Sequence, residues 1–214
     1  MSGAKRRLMA SKRQLGAYYR RAQRALEMVA FERGLQDTRD RNATSGYLFL
    51  PRGMRGCRVG PEDAFLDYGS GRGRVLLQAA RYPFGRVIGL EQNEPDCEIA
   101  RSNASIAARR LRCPRIEVVQ ADATAWPVPD DVTYIYMFNP FWGETFTAVL
   151  DRVGESLDRR PRPLTLIYAN PRCAPALLAT GRFKRVRTSL GPRRDVSWQR
   201  IEVFRAIAPD VPSG

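Results

Sequence analysis

Phe65-Leu66-Asp67-Tyr68-Gly69-Ser70-Gly71-Arg72-Gly73-Arg74 is the stretch that decides the fold. An apolar run ends in an acid, three glycines follow at alternate positions, and Val75-Leu76-Leu77-Gln78-Ala79-Ala80 continues with helical character. That order reads as a strand, a tight turn and a helix start. Glycine is required where the backbone takes a positive φ or where a ligand must touch it. A strand–turn–helix unit places backbone N–H groups and a helix N-terminus at the carboxyl end of a sheet, where ligands of open α/β folds bind. The dinucleotide fingerprint Gly-x-Gly-x-x-Gly would need glycine at position 74, where Arg74 stands. An acid two residues before the first glycine suits a cationic ligand and is a poor neighbour for a pyrophosphate.

Working outward, strands alternate with helices. Strands are predicted over 64–68, 86–90, 116–120, 132–138, 164–168, 183–188 and 198–207, from short β-branched and aromatic runs bounded by glycine and proline. Helices are predicted over 12–33, 74–81, 94–111, 142–157 and 174–179, from apolar residues recurring every three or four positions. Alternation of this kind implies right-handed βαβ units and a parallel sheet covered on both faces. Two consecutive strands at the end imply an antiparallel hairpin at one edge. The expected fold class is α/β: a Rossmann-like, mostly parallel seven-stranded sheet with helices on both faces, a C-terminal antiparallel hairpin and an N-terminal helical extension. The expected division is a basic extension and cap over 1–60, and a ligand-binding domain over 61–214.

The glycine turn resembles motif I of the class I S-adenosylmethionine (SAM) methyltransferases. Leu66–Ala80 is similar to the motif I region of the non-SET histone lysine methyltransferases. The span 44–207 resembles a bacterial group of uncharacterised class I methyltransferases with a Phe-Asn-Pro-Phe loop. The resemblance implies SAM as cofactor, with S-adenosyl-L-homocysteine as product. It implies that Asp67, Gly69, Ser70, Gly71 and Gly73 wrap the methionine part of SAM. Glu91 ends the second strand, 24 residues after Asp67, where an acid can accept hydrogen bonds from both ribose hydroxyls. The resemblance assigns it that role, with Gln92 and Asn93 flanking the adenine. It assigns Asp122, after the third strand, to the adenine amino group, with the backbone of Ala123 on the ring. Asn139-Pro140-Phe141-Trp142 follows the fourth strand and resembles the Asn-Pro-Pro-Tyr/Phe loop of amino-group methyltransferases. There the Asn side chain and a proline carbonyl hold the target nitrogen beside an aromatic ring, which implies catalytic roles for Asn139, Pro140 and Phe141, with Asn139 also facing the cofactor. This chain has one proline where that loop has two, and whether the acceptor is N, O or C stays open. Tyr18, Tyr19, Tyr47, Phe49, Trp142 and Asn170 are substrate-side candidates by position.

Composition narrows the chemistry. The 214 residues contain no histidine, which excludes Ser-His and Cys-His nucleophilic systems, a histidine base and histidine metal ligands. A methyl transfer from a sulfonium manages without them, because the leaving group needs no proton; no metal is implied. The four cysteines, Cys57, Cys97, Cys113 and Cys173, lie far apart without a C-x-x-C pair, as reduced thiols of a cytoplasmic protein do. No apolar run approaches the roughly 20 residues of a membrane span, and the basic opening lacks the apolar core of a secretory signal.

The formal net charge is +14 and is uneven. Residues 1–58 carry fourteen Lys and Arg against four acids, and only three lysines, Lys5, Lys12 and Lys184, occur in the chain. Arginine favours bidentate contact with phosphate or carboxylate, and a GC-rich genome, which pushes codons toward Arg, Ala, Gly and Pro, would produce the same bias. The expected partner is a methyl acceptor of open class: a protein side chain, a small molecule, or a nucleic acid met by the basic N-terminus. The oligomeric state is open. Beside the methyltransferase reading stand a SAM-binding or RNA-associated protein of the same fold without turnover, and, less favoured, an NAD-dependent oxidoreductase.

Overall fold

The computed structural model describes residues 35–36, 45–190 and 200–207. The basic tail, the helix expected over 12–33, Tyr18, Tyr19 and the first residues of the last predicted strand lie outside the described residues. The elements in chain order are α1 (Phe49–Gly53), β1 (Ala64–Tyr68), α2 (Arg74–Ala79), β2 (Arg86–Glu91), α3 (Glu94–Ala107), a 3₁₀ turn (Ala108–Arg110), β3 (Ile116–Gln120), β4 (Val132–Phe138), α4 (Gly143–Arg159), β5 (Thr165–Ala169), α5 (Ala174–Ala179), β6 (Phe183–Ser189) and β7 (Ile201–Ala206). The seven strands form one sheet in the order β3-β2-β1-β4-β5-β7-β6. β1 to β5 pair in parallel, while β7 is antiparallel to both β5 and β6. The seven-stranded, mostly parallel sheet with its antiparallel terminal pair is the expected one.

Alternation along the strands feeds two apolar layers. Leu66, Ile88, Ile135 and Leu166 face α4 and α5, while Phe65, Val87, Tyr134 and Ile167 face α1 and α2. α4 buries Phe146, Val149, Leu150, Val153 and Leu157, one stripe at helical spacing. α3 starts at an Asn93 N-cap, whose side chain accepts from the Asp96 N–H, with Pro95 in the first turn. It ends at Ala107, before the 3₁₀ turn, so the predicted helix over 94–111 loses its last turn.

The patch at 47–50, read from sequence as part of a connecting segment, is structured. Phe49–Gly53 forms a short helix with Pro51 in its first turn, where the missing N–H costs nothing. It packs against β5 and β7, and Leu50 is fully buried. Five residues with a proline give too short a period to be read as a helix. No helix among the described residues is long and apolar enough to cross a membrane.

The strand order reverses between β1 and β4, because β1 is followed in space by β2 on one side and β4 on the other. The crevice at the carboxyl ends of these two strands is the site that such a topology opens. The chain leaves β1 through Gly69, Gly71 and Gly73, with φ of 71°, 50° and 86°. Gly73 caps α2, and a Cβ on it would sit 3.1 Å from the Cβ of Ala100 on α3. Gly73→Ala therefore combines left-handed strain with a tight helix contact, and urea denaturation is expected to show a loss of roughly 1–3 kcal/mol.

Candidate functional site

A cavity of about 650 Å³ opens at the carboxyl ends of β1, β2, β4 and β5. On the β1 side its wall contains Asp67, Gly69, Ser70 and Gly71; on the β2 and β3 side, Glu91, Gln92, Asp122 and Ala123; across from them, Asn139, Pro140 and Phe141. Of the residues assigned from sequence, Gly73 and Asn93 stand outside this wall. Gly73 abuts α3, and the Asn93 side chain is committed to capping that helix. The backbone N–H and carbonyl of Gly73 are both bonded within the protein, to the Ser70 carbonyl and the Leu77 N–H.

The glycine loop directs its amides inward. The N–H groups of Gly69 and Ser70 both donate to the Leu90 carbonyl, at 2.9 and 3.1 Å. The Gly71 N–H donates to Glu91 Oε2 at 2.9 Å. Three successive donors are thus used within the protein, whereas a pyrophosphate-binding turn would aim them at the ligand. Asp67 lines the same wall, and the Gly69 and Gly71 carbonyls take no donor among the described residues. Buried polar atoms without a partner also border the space, the Tyr68 hydroxyl and the Ser70 hydroxyl. This donor set fits a ligand with a cationic amino group and a sulfonium, as SAM has.

Asp67 is 2% exposed. Burial pushes its pKa well above the ordinary carboxyl value, and the neighbouring Glu91 carboxylate pushes it further. Glu91 is held differently. Besides Gly71, its other oxygen accepts from the N–H groups of Gln92 at 2.9 Å and Asn93 at 3.0 Å. A carboxylate has about four lone-pair sites, so Oε2 keeps capacity for one more donor. Asp122 is exposed, and its pKa is lowered because one oxygen accepts from both the backbone and the hydroxyl of Thr124.

Asn139 leaves β4 with φ of 46°, a left-handed conformation that asparagine tolerates better than most residues. Its side-chain oxygen lies 3.2 Å from the Tyr168 hydroxyl. That hydroxyl also accepts from the Cys173 N–H at 3.3 Å. The phenol oxygen is therefore an acceptor toward Cys173, and its own proton goes to Asn139. Phe141 packs edge-on against Tyr68, ring centroids 5.8 Å apart. A Cβ on Gly69 would lie 3.1 Å from the Pro140 side chain. The loop after β4 and the glycine loop are in direct apposition.

Four contributors escaped the sequence reading. Tyr168 and Tyr136 are inward-facing strand residues indistinguishable from core. Ser45 is buried and hydrogen-bonded to the Tyr136 hydroxyl, and both line the cavity; only the fold brings residue 45 to residue 136. Arg172 had a readable signal: Asn170-Pro171 repeats, after β5, the Asn139-Pro140 pair after β4. Asn170 has φ of 51° and lines the cavity, as do Trp142 and Arg172. Phe49 is a core residue, buried and tilted against Phe138 at 5.6 Å. Tyr47 lies under the Arg74 guanidinium at 4.4 Å; neither it nor Phe49 is part of the cavity wall.

A family model described as a methyltransferase domain matches residues 65–159. An RNA methyltransferase from Salinibacter ruber, solved with S-adenosyl-L-homocysteine, aligns with a TM-score of 0.52 at 20% identity, over 80% of this chain and 98% of its own. A tRNA (uracil-54, C5)-methyltransferase from Pyrococcus abyssi, solved with the same product, gives 0.52 at 17% identity over 77% of this chain and 39% of its own. A ribosomal protein L11 methylase from Lactobacillus delbrueckii subsp. bulgaricus gives 0.53 at 14% identity, over 75% and 76%. At these identities the likeness to the solved proteins is one of fold. No curated protein matches the sequence.

The Asp67 environment has a consequence for the ligand-free protein. The folded state holds this proton to higher pH than the unfolded chain, whose aspartates titrate near about 3.9. The stability from this group is complete below that value and is lost as pH rises through the folded-state pKa. Asp67→Asn is expected to flatten this decline, and to melt higher than the parent at neutral pH when no ligand is present; thermal unfolding across pH 4 to 8 measures it.

The strand-end acid, the glycine turn, the sheet order and the domain match converge: residues 65–159 match a methyltransferase domain, on a fold shared with methyltransferases solved with S-adenosyl-L-homocysteine.

Proposed function

We propose that this enzyme transfers the methyl group of SAM to a nitrogen acceptor by direct in-line displacement, with Asn139, Pro140 and Phe141 holding the acceptor. Bound SAM supplies an electrophilic methyl on a positively charged sulfur. The remainder is binding, orientation and exclusion of water by this chain's residues. Asp67 and the Gly69 and Gly71 carbonyls receive the amino-acid end, and the free capacity of Glu91 receives the ribose. Gln92, Asp122 and Ala123 border the adenine. Asn93 acts one step back, by fixing the start of α3 beneath Gln92. The methyltransferase domain is assigned to 61–214 and the extension and cap to 1–60. The four cysteines are free thiols, and we place the enzyme in the cytoplasm.

The observation that carries the acceptor side is the Tyr168–Asn139 hydrogen bond. It orients the amide oxygen and leaves that oxygen a second lone pair. An acceptor N–H donating to this lone pair sits beside Pro140, and Pro140 abuts Gly69. Acceptor and cofactor loops thereby face each other across the cavity. The acceptors named for proteins of this fold include RNA, tRNA and a ribosomal protein, so fold alone leaves the class of acceptor open.

Glu91→Gln replaces one acceptor oxygen by a donor NH₂ that would meet backbone N–H groups. SAM affinity is expected to fall by about 1–3 kcal/mol, read by calorimetry; unchanged affinity would put the ribose elsewhere. Asn139→Ala is expected to lower kcat about 100-fold through loss of acceptor alignment, with the Kd for SAM nearly unchanged. A variant that loses SAM affinity while keeping its turnover rate on bound cofactor would show that Asn139 belongs to the cofactor rather than to the acceptor.

A further inference from the structure

The outer half of the cavity differs chemically from the inner half. Its carboxylates, Asp67, Glu91 and Asp122, all come from β1, β2 and β3. None of the lining residues from the ends of β4 and β5 is acidic. An alkylammonium acceptor such as a lysine side chain, with a pKa near about 10.4, would find there neither a counter-ion nor a base to take its proton. A neutral amine borne on a base ring needs no counter-ion and attacks without prior deprotonation; once the N–C bond has replaced the S–C bond, S-adenosyl-L-homocysteine leaves and the surplus proton on nitrogen passes to solvent.

The same outer wall carries an aromatic surface and a cation. Trp142 is 70% exposed, the most exposed of the large hydrophobic side chains among the described residues. It starts α4 with its backbone alone, without a side-chain cap. Of the three arginines on the cavity wall, Arg72 is paired with Asp96 at 2.8 Å, and Arg74 lies over the Tyr47 ring. Arg172 is exposed, and its guanidinium has no hydrogen-bond or carboxylate partner among the described residues; its backbone N–H bonds to the Asn170 carbonyl. The two loops are tied together. The Cys173 thiol lies 3.7 Å from the Phe141 carbonyl, and the Cys173 N–H reaches the Tyr168 hydroxyl that holds Asn139. Trp142 follows Phe141 and Arg172 precedes Cys173, so the two residues neighbour one seam, and both line the cavity.

Resting on the nitrogen-acceptor reading above, we propose that the acceptor is a nucleotide within single-stranded RNA, its base stacked on Trp142 and an adjacent phosphate paired with Arg172. Every base offers a π face to an exposed indole. A guanidinium without an internal partner is suited to bidentate phosphate contact. The excess of 36 Lys and Arg over 22 Asp and Glu favours a polyanion over an acidic small molecule. The neutral amino group of a base matches a wall that has Asn139 and no base catalyst.

The test uses the full chain saturated with S-adenosyl-L-homocysteine and a fluorescein-labelled ten-nucleotide single-stranded RNA of mixed sequence, followed by anisotropy. Trp142→Ala is expected to weaken RNA binding about 5- to 100-fold, while Trp142→Phe, which keeps a ring, retains most of it. Arg172→Glu is expected to weaken binding and to reduce the slope of log affinity against log salt by at least about 0.7. Both variants keep the parent's calorimetric affinity for SAM. RNA affinity and salt slope untouched by Trp142→Ala and Arg172→Glu, in protein that binds SAM, overturn the proposal. So does label from SAM entering protein rather than RNA when both are offered. Failure of the parent protein to bind SAM is registered before any RNA is added, and would instead sink the methyltransferase reading on which the proposal rests.

Discussion

The hydrogen bond from the Gly71 N–H to the Glu91 carboxylate holds the site in its working shape. It joins the turn after β1 to the last residue of β2, and with the two bonds to the Leu90 carbonyl it turns the loop's donors away from the cavity. A backbone N–H left unpaired in such a place would cost free energy comparable to a lost hydrogen bond. Satisfying these donors internally takes them away from a ligand, on a wall that also holds the buried Asp67 carboxyl. Such a loop suits a cationic ligand better than a phosphate, which would need those donors. Burial, with the Glu91 carboxylate adding to it, raises the pKa of Asp67.

A second tie does for the acceptor side what Glu91 does for the cofactor side. Tyr168 lies in the middle of the sheet, fully buried, and its hydroxyl joins the loops that follow β4 and β5. Both loops begin with asparagine in a left-handed conformation followed by proline. A residue before proline is normally driven toward extended conformations, so each turn is held against that tendency by its surroundings. For Asn139 the support is the Tyr168 hydroxyl; for Asn170 it is the bond from its N–H to the Arg200 carbonyl, 2.8 Å long.

The stretched apposition of the two halves has an electrostatic counterpart. The carboxylates of the cavity wall come from β1, β2 and β3, while the wall from the ends of β4 and β5 carries no acid and includes Trp142 and Arg172. Catalysis that consists of bringing two reactants together benefits from such a division, since each reactant is sorted to its own half before the reaction begins.

The strand–turn–helix at 65–80, the alternation of strands and helices and the acids at strand ends were legible in the residues, because period, glycine and strand-terminal chemistry are local properties. Glu91, Asp122 and Asn139 could be singled out since an α/β sheet brings the carboxyl ends of its strands together whatever their separation in the chain. What lay beyond reach was the direction of the loop's amides, which depends on where the Leu90 carbonyl and the Glu91 carboxylate come to rest beside it. Likewise, Asn93 and Gly73 carry residue types that suit a ligand as well as they suit a helix cap and a helix contact; only the position of α3 decides between them. Tyr136 and Ser45 read as core or loop until the sheet places them on the cavity wall, and Tyr168 until its hydroxyl meets Asn139. Sequence determined the kind of site this protein builds; packing decided which side chains face into it, because burial and pairing are settled by neighbours far away in the chain.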